Sequence, residues 1–240
     1  MKAAKIFCAL TVLFSLTAVS CSDDDDNDTA LELNTTKVSL YQDGTKQMSV
    51  KDNRSVTWTV DDDFVAKVDD DGLLTALFVG ETRVKATDSK GKSAYASVIV
   101  NPRYNTYKEP YVEWGASRSE VLSHDTREVS SEDETLVVLN GGSDAAELVS
   151  YGFGESGLEA VIVIVKTSYS AEIMKFLGER YQPLGVSDEI YMFTNGKVVV
   201  GLKVQTYKYL MLTYIPYTAN KSLSLTQADL LMSAIPALDE

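Results

Sequence analysis

The groups in this 240-residue chain that could do chemistry are a single histidine, two cysteines and several clusters of carboxylates. His124 stands between Ser123 and Asp125, the three residue types of a nucleophilic triad. Neighbours on a helix project about 100° apart, so three consecutive residues cannot aim their functional groups at one another. His124 therefore reads as an exposed residue at a helix end. Asp61-Asp62-Asp63 and Asp69-Asp70-Asp71 could offer oxygen ligands to Ca²⁺, but they lack the alternating ligands and distant glutamate of an EF-hand loop, so acidic turn caps are expected. Gly152-Phe153-Gly154-Glu155-Ser156-Gly157 spells the dinucleotide fingerprint, yet it joins two apolar runs of strand character where the fingerprint needs a strand and then a helix. A hairpin turn is the expected structure. Neither a His-Glu-x-x-His zinc spacing nor a phosphate loop occurs. The expectation is a non-enzyme with no catalytic residue, cofactor or metal.

The two cysteines belong to the start of the chain. Lys2 and Lys5 precede a nearly unbroken apolar run at 6–19. A basic start, a short apolar run and small residues at its end describe a secretory signal at 1–20. The run falls short of the about 20 apolar residues a membrane span needs. Small residues before Cys21 and polar residues after it resemble a bacterial lipobox, although Ala18 occupies a position more often held by leucine. That resemblance implies cleavage before Cys21, diacylglycerol on its sulfur, and an acyl chain on the new amine. Only a thiolate is nucleophilic enough for the thioether, and each buried methylene of such a lipid adds about 0.8 kcal/mol to membrane binding. Ordinary secretion with Cys21 as a bystander is the alternative. With Cys8 lost and Cys21 capped, thiol chemistry and disulfides are excluded.

Residues 21–30 form an acidic tether carrying Asp23, Asp24, Asp25, Asp26 and Asp28, whose like charges keep it extended. The run also resembles the export signal of Bacteroidetes lipoproteins, which implies an outer-membrane, lipid-anchored, cell-surface location; a plain spacer is the other reading. Asp28-Thr29-Ala30 resembles the O-glycosylation triplet of the same phylum, which marks Thr29. The formal net charge of −13 would repel a phosphate backbone, so nucleic acid is not an expected partner.

From 31 to 102, short apolar alternations are separated by turn residues. Val56, Trp58 and Val60 share one face, with Thr57 and Thr59 on the other. Ala66 and Val68 lead into Asp70-Asp71-Gly72; Leu74, Ala76 and Phe78 lead into Gly80; Thr82, Val84 and Ala86 lead into Lys90-Gly91; Ala94, Ala96, Val98 and Val100 close the unit. Period-2 strands with Gly and Asp turns predict an all-β, antiparallel sandwich of about seven strands, with Trp58 as the plug between the sheets. Val56-Thr57-Trp58, Phe64–68, Asp71–75 and Gly80–84 resemble the group 2 bacterial Ig-like domain. The resemblance implies a spacer or adhesive module and carries no catalytic residue.

The region 103–218 begins with a polar, aromatic linker in which Tyr104, Tyr107, Tyr111 and Trp114 are expected to pack onto the domain that the linker leads into. A helix at 117–125, capped by Ser117 with Glu120 at the capping-box offset, precedes strands at 135–139, 147–153 and 158–166. A second helix at 171–180, capped by Ser170 and apolar at Ile173, Met174, Phe176 and Leu177, precedes strands at 189–194, 197–205 and 209–215. Asn140-Gly141 and Asn195-Gly196 occupy matching turns. The prediction is an α+β domain of two helix-strand-strand-strand repeats: one antiparallel sheet of about six strands with both helices on one face. That layout is topologically similar to helix-plus-meander outer-membrane assembly lipoproteins and β-lactamase-inhibitor proteins; the piece Trp114-Gly115 to Ser117, Glu120 and Val121 is like the helix opening of the former. The tail 219–240 carries an amphiphilic stretch, 226–235, that could be helical and either dock on the sheet or lie loose.

The expected function is an outer-membrane lipoprotein held by lipid at Cys21, whose Ig-like spacer presents a domain that binds a protein or glycan. The contact is expected through the open sheet face or through loops; the sheet face is suggested by Thr, Tyr and Lys interleaved along 203–214, for example Gln205, Tyr207 and Lys208. A periplasm-facing assembly or structural subunit of the outer membrane is the alternative.

Overall fold

The computed structural model describes residues 29–187 and 189–217. The leader at 1–20, Cys21 and the tail at 219–240 lie outside them. The chain divides into Met1–Ala30 and Leu31–Glu240; of the first unit only Thr29 and Ala30 are described, and both are exposed.

The chain is mostly β. Its first seven strands are β1 (Lys37–Tyr41), β2 (Thr45–Gln47), β3 (Val56–Val60), β4 (Ala66–Val68), β5 (Leu73–Ala76), β6 (Gly80–Asp88) and β7 (Ser93–Asn101). They form a four-stranded sheet, β1-β7-β6-β3, and a three-stranded sheet, β2-β5-β4. Strict alternation along β6 and β7 sends Val84, Ala86, Ala96 and Val98 inward to meet Val38, Met48 and Leu74. The expected sandwich is therefore present, with two differences. First, β1 pairs with β7 in parallel, Lys37 opposite Ser97 and Tyr41 opposite Asn101. The two strands are far apart in sequence, so no tight turn dictates an antiparallel match. Second, Trp58 is half-buried, because β3 is an edge strand of its sheet. Met48 and Leu74 fill the interior instead. The indole lies against Gly72, where a Cβ would come within 2.9 Å of Nε1; the φ of +81° at Gly72 also favours glycine.

The rest of the described chain forms one eight-stranded antiparallel sheet. Its strands are β8 (Val129–Glu132), β9 (Leu136–Asn140), β10 (Ala146–Gly154), β11 (Gly157–Lys166), β12 (Gln182–Ser187), β13 (Ile190–Thr194), β14 (Val198–Val204) and β15 (Tyr209–Pro216). The helices are α1 (Arg118–His124) and α2 (Ser170–Gly178), the latter entered through a 3₁₀ turn at Thr167–Tyr169. The order β12-β13-β14-β15-β11-β10-β9-β8 places the last strand of each half at the centre, where Val161–Lys166 runs against Tyr209–Tyr214. The doubled layout is present, but each unit is a helix followed by four strands, and the sheet has eight strands where six were predicted. The two unpredicted strands, β8 and β12, are the two edges. Every residue of both is exposed, so neither shows the apolar alternation that betrays a strand. Both edges carry a register shift, and β12 also holds Pro183 and Gly185, features that discourage further pairing.

Helix α1 is capped as expected, Ser117 accepting from the Glu120 N–H. Helix α2 is not: Ser170 is its first residue and Tyr169 occupies the cap without a side-chain bond, because the 3₁₀ turn already leads the chain in. Met174 lies on its exposed side; Ile173, Phe176 and Leu177 are buried. Both helices and the segment 103–116 pack on one face of the sheet, where Val121, Ile173 and Phe176 cluster with Val137, Val149, Val163, Val200, Leu212 and Tyr214. Tyr104, Tyr107, Tyr111 and Trp114 join this cluster, as expected.

Candidate functional site

The histidine stands apart from its neighbouring aspartate. His124 ends α1 exposed, stacks on Tyr111 with ring centroids 4.4 Å apart, and places Nδ1 3.0 Å from both Ser123 Oγ and Glu120 O. Asp125 turns into the interior instead and accepts from the Tyr151 hydroxyl. The glycine fingerprint is the β10–β11 hairpin, with Gly154 opposite Gly157. The acidic triplets act as turn caps: Asp62 accepts from the Phe64 N–H at 3.0 Å, Asp69 from the Leu73 N–H at 2.8 Å, and Asp61 pairs with Arg83 at 2.7 Å. Among the described residues, no cluster of three histidine, cysteine, aspartate or glutamate side chains is placed to hold a metal ion. A shallow groove of about 720 Å³ crosses β1, β7 and β6 between Lys37, Glu81, Arg83 and Ile99.

The most heavily committed carboxylates come just after the two helices. Asp125 caps α1 and Glu179 caps α2, and both are buried. A carboxylate at a helix C-terminus opposes the helix dipole, so each is held by an arginine. Arg127 Nη1 lies 3.2 Å from Asp125, and Arg180 Nη1 lies 2.5 Å from Glu179. Each acid also grips the segment that enters the large sheet. Glu179 accepts from the backbone N–H groups of Arg103 and Tyr104 at 2.9 and 3.0 Å. Tyr151, bound to Asp125, accepts from the Tyr111 N–H at 3.0 Å. Between these points Glu109 accepts from Tyr181 at 2.6 Å and from Arg180 at 3.0 Å, and Tyr107 bonds Tyr214 through their hydroxyls. Burial pushes the hydroxyls of Tyr107, Tyr151, Tyr181 and Tyr214 well above the ordinary tyrosine range. The same corner meets the sandwich: the Val79 N–H donates to Glu179 O at 2.8 Å and Gln42 Nε2 to Gly178 O at 3.0 Å. Sequence reasoning did not single out Asp125, Glu109, Glu179 or Arg180 for these contacts, since acids and arginines in polar runs read as solvated. The one signal available was the position of Asp125 and Glu179 just after each helix.

Four exposed apolar side chains collect toward the β12 edge of the sheet. Val186 lies opposite Tyr191, Tyr191 opposite Leu202, and Val204 stands one alternation further along β14. Val186 is 59 % exposed, Tyr191 48 % and Val204 64 %, with Leu184 beside them on β12. Gln205, Tyr207 and Lys208 do not lie on the sheet face that was predicted; they form the turn between β14 and β15, because pairing stops at Val204 and Leu210. Thr206 Oγ1 accepts from the Lys208 and Tyr209 N–H groups at 3.2 Å, while the Thr167 hydroxyl donates to Tyr207 O at 2.9 Å. The turn is thus fixed while Tyr207, 79 % exposed, projects with Lys208 Nζ 5.3 Å from its ring centroid.

Of the two residues the sequence marks for modification, Cys21 lies outside the described residues and Thr29 is exposed. No curated protein matches the chain. Residues 29–98, whose strands and core are those of the sandwich described above, match the family model of the bacterial Ig-like domain (group 2), and the N-terminal part of the chain is therefore Ig-like.

Proposed function

We propose that the protein is a non-enzymatic lipoprotein of the outer membrane, held by lipid at Cys21 and displayed on the cell surface. In this reading the Ig-like domain is a spacer, and the two-repeat α+β domain binds a protein or glycan through the rim formed by β12–β14 and the 205–208 turn. The observation that carries the reading is Tyr207: an aromatic ring left 79 % exposed on a turn that is itself pinned. Rigid aromatic side chains give contact area at little entropic cost and are enriched in binding surfaces. The row Leu184, Val186, Tyr191 and Val204 extends that surface. The engaged acids support a non-catalytic role, since Asp125, Glu109 and Glu179 hold the fold.

Two measurements test this. Cys21→Ser should release the protein from the membrane fraction, and protease added to intact cells should cleave the wild type; a protected wild type would instead favour the periplasm-facing assembly subunit. For binding, intact wild-type protein is compared with Tyr207→Ala/Val204→Lys on glycan arrays and in pull-downs. Species held by the wild type and lost from the variant identify the ligand class; identical profiles reject the rim.

A further inference from the structure

The chain passes from the sandwich to the large sheet with no slack. Strand β7 ends at Asn101, whose side chain donates to Ser39 Oγ at 2.7 Å and to Leu40 O at 3.0 Å. Pro102 follows, its φ fixed by the ring. The next two amides, of Arg103 and Tyr104, are the ones Glu179 holds. A hinge needs residues free to change φ and ψ, and Pro102 alone separates the strand from the first held amide. Beyond it the chain is fastened along one side of α2. Glu172, Lys175 and Glu179 stand at i, i+3 and i+7, on one helix face. Thr106 Oγ1 donates to Glu172 at 2.9 Å, and Lys175 Nζ lies 5.5 Å from the centroid of the Tyr104 ring.

The sandwich also meets the end of that helix directly. The last carbonyls of a helix have no donor within it. In α2 the carbonyls of Gly178 and Glu179 find theirs in the sandwich: Gln42 Nε2, from the turn after β1, at 3.0 Å, and the Val79 N–H, just before β6, at 2.8 Å. The Arg103 guanidinium lies over Tyr41, 5.1 Å from the ring centroid. At the other end of the helix, Thr167 of the 3₁₀ turn donates its N–H to Lys208 O at 2.8 Å and its hydroxyl to Tyr207 O at 2.9 Å. Between these ends Ile173, Phe176 and Leu177 seat the helix on the sheet, all fully buried.

We propose that the joint between the sandwich and the large sheet is fixed, and that α2 with its 3₁₀ turn is a strut of about 20 Å that holds the 205–208 turn at one orientation to the sandwich. Domains that share a small polar contact ordinarily move relative to one another. Here the bonds of Gln42, Val79, Arg103 and Tyr104 converge on one helix end, so bending at the joint must break them as a group. This holds whatever the rim binds.

Spin-label distances test this in a chain beginning at Ser22, which keeps every described residue and neither cysteine, so that introduced thiols are unique. Lys67→Cys, exposed on β4, is paired with Gln205→Cys, exposed on the turn. The reference pair, Ser131→Cys with Gln205→Cys, lies wholly within the large sheet and its turns. Double electron–electron resonance should give one distance from sandwich to turn, with a distribution as narrow as that of the reference; a broader distribution or a second distance overturns the proposal. Two variants then separate the socket from the short chain path. Gln42→Ala with Glu179→Ala should broaden the sandwich-to-turn distribution at least about twofold while the reference pair keeps its width. A Gly-Ser-Gly-Ser insertion between Asn101 and Pro102 lengthens the path but leaves the bonds to α2, and should leave the distribution narrow. An unchanged width in the first variant, or broadening in the second, also overturns the proposal.

Discussion

The two halves of the large sheet share a plan and differ in how they use it. Each runs helix, then four strands, and each closes its helix with a buried acid braced by arginine, Asp125 with Arg127 and Glu179 with Arg180. The first half buries little with its helix, only Val121, while α2 buries Ile173, Phe176 and Leu177. The rims differ as well. Edge β8 reads Val-Ser-Ser-Glu, whereas β12 puts Leu184 and Val186 into solvent. The second half therefore carries both the larger helix contribution to the core and the more apolar edge. A duplicated scaffold allows this: the inner strands fix each other, so an outer strand can vary without disturbing the packing.

The largest expected effect separates the two helices. Phe176→Ala should cost about 4 kcal/mol, and Val121→Ala about half as much, read from urea midpoints. Equal losses would erase the contrast. The buried acids come next. Asp125→Ala leaves Arg127 buried without its carboxylate and should cost about 3 kcal/mol; Glu179→Ala leaves Arg180 its bond to Glu109 and should cost less. If the two grips on 103–111 act independently, the double variant should lose the sum; a smaller combined loss would show that they act as one clasp.

Alkali probes the same interior. The four buried tyrosines keep their protons in the folded state, whereas the unfolded chain releases them near pH 10, the ordinary tyrosine value of about 10. The unfolded state then holds fewer protons, so stability is intact below pH 10 and falls as pH rises above it. Tyr151→Phe should flatten that decline in proportion to its share, measured by denaturation at pH 9 and pH 11. The smallest effect is expected at the rim: Tyr207→Ala and Val186→Thr should each change stability by less than about 0.5 kcal/mol, whatever they do to binding. A larger loss would mean that the rim is structural.

Much of this was legible from residues alone. Alternation gave the sandwich strands other than β2, whose three residues are all exposed, and the inner strands β9–β11 and β13–β15, because one or both of their faces are buried. Asn140-Gly141 and Asn195-Gly196 fall between the second and third strands of their halves, which is what made the doubling visible. The edges escaped because an exposed strand needs no apolar pattern; its residues are held by a neighbour's backbone. Trp58 was placed too deep because alternation reports which face a side chain takes but not whether its strand is central. The position of Tyr207 was misjudged for a related reason: composition along 203–214 does not reveal where pairing stops and a turn begins. The grip of the two acids was invisible since the groups they hold lie far away in sequence, as with Glu179 and the amides of Arg103 and Tyr104, or Asp125 and Tyr151.

The side-by-side, same-direction match of β1 and β7 has a mechanical consequence. The chain runs into β1 at Lys37 and out of β7 at Asn101, which are opposite ends of the paired stretch. Tension applied between those points slides one strand along the other. The bridging bonds are then loaded in shear, all at once, where a hairpin pulled from its open end would release them one after another. A module built this way yields to force late and abruptly, a property suited to a segment that must hold its length while what it carries is tugged.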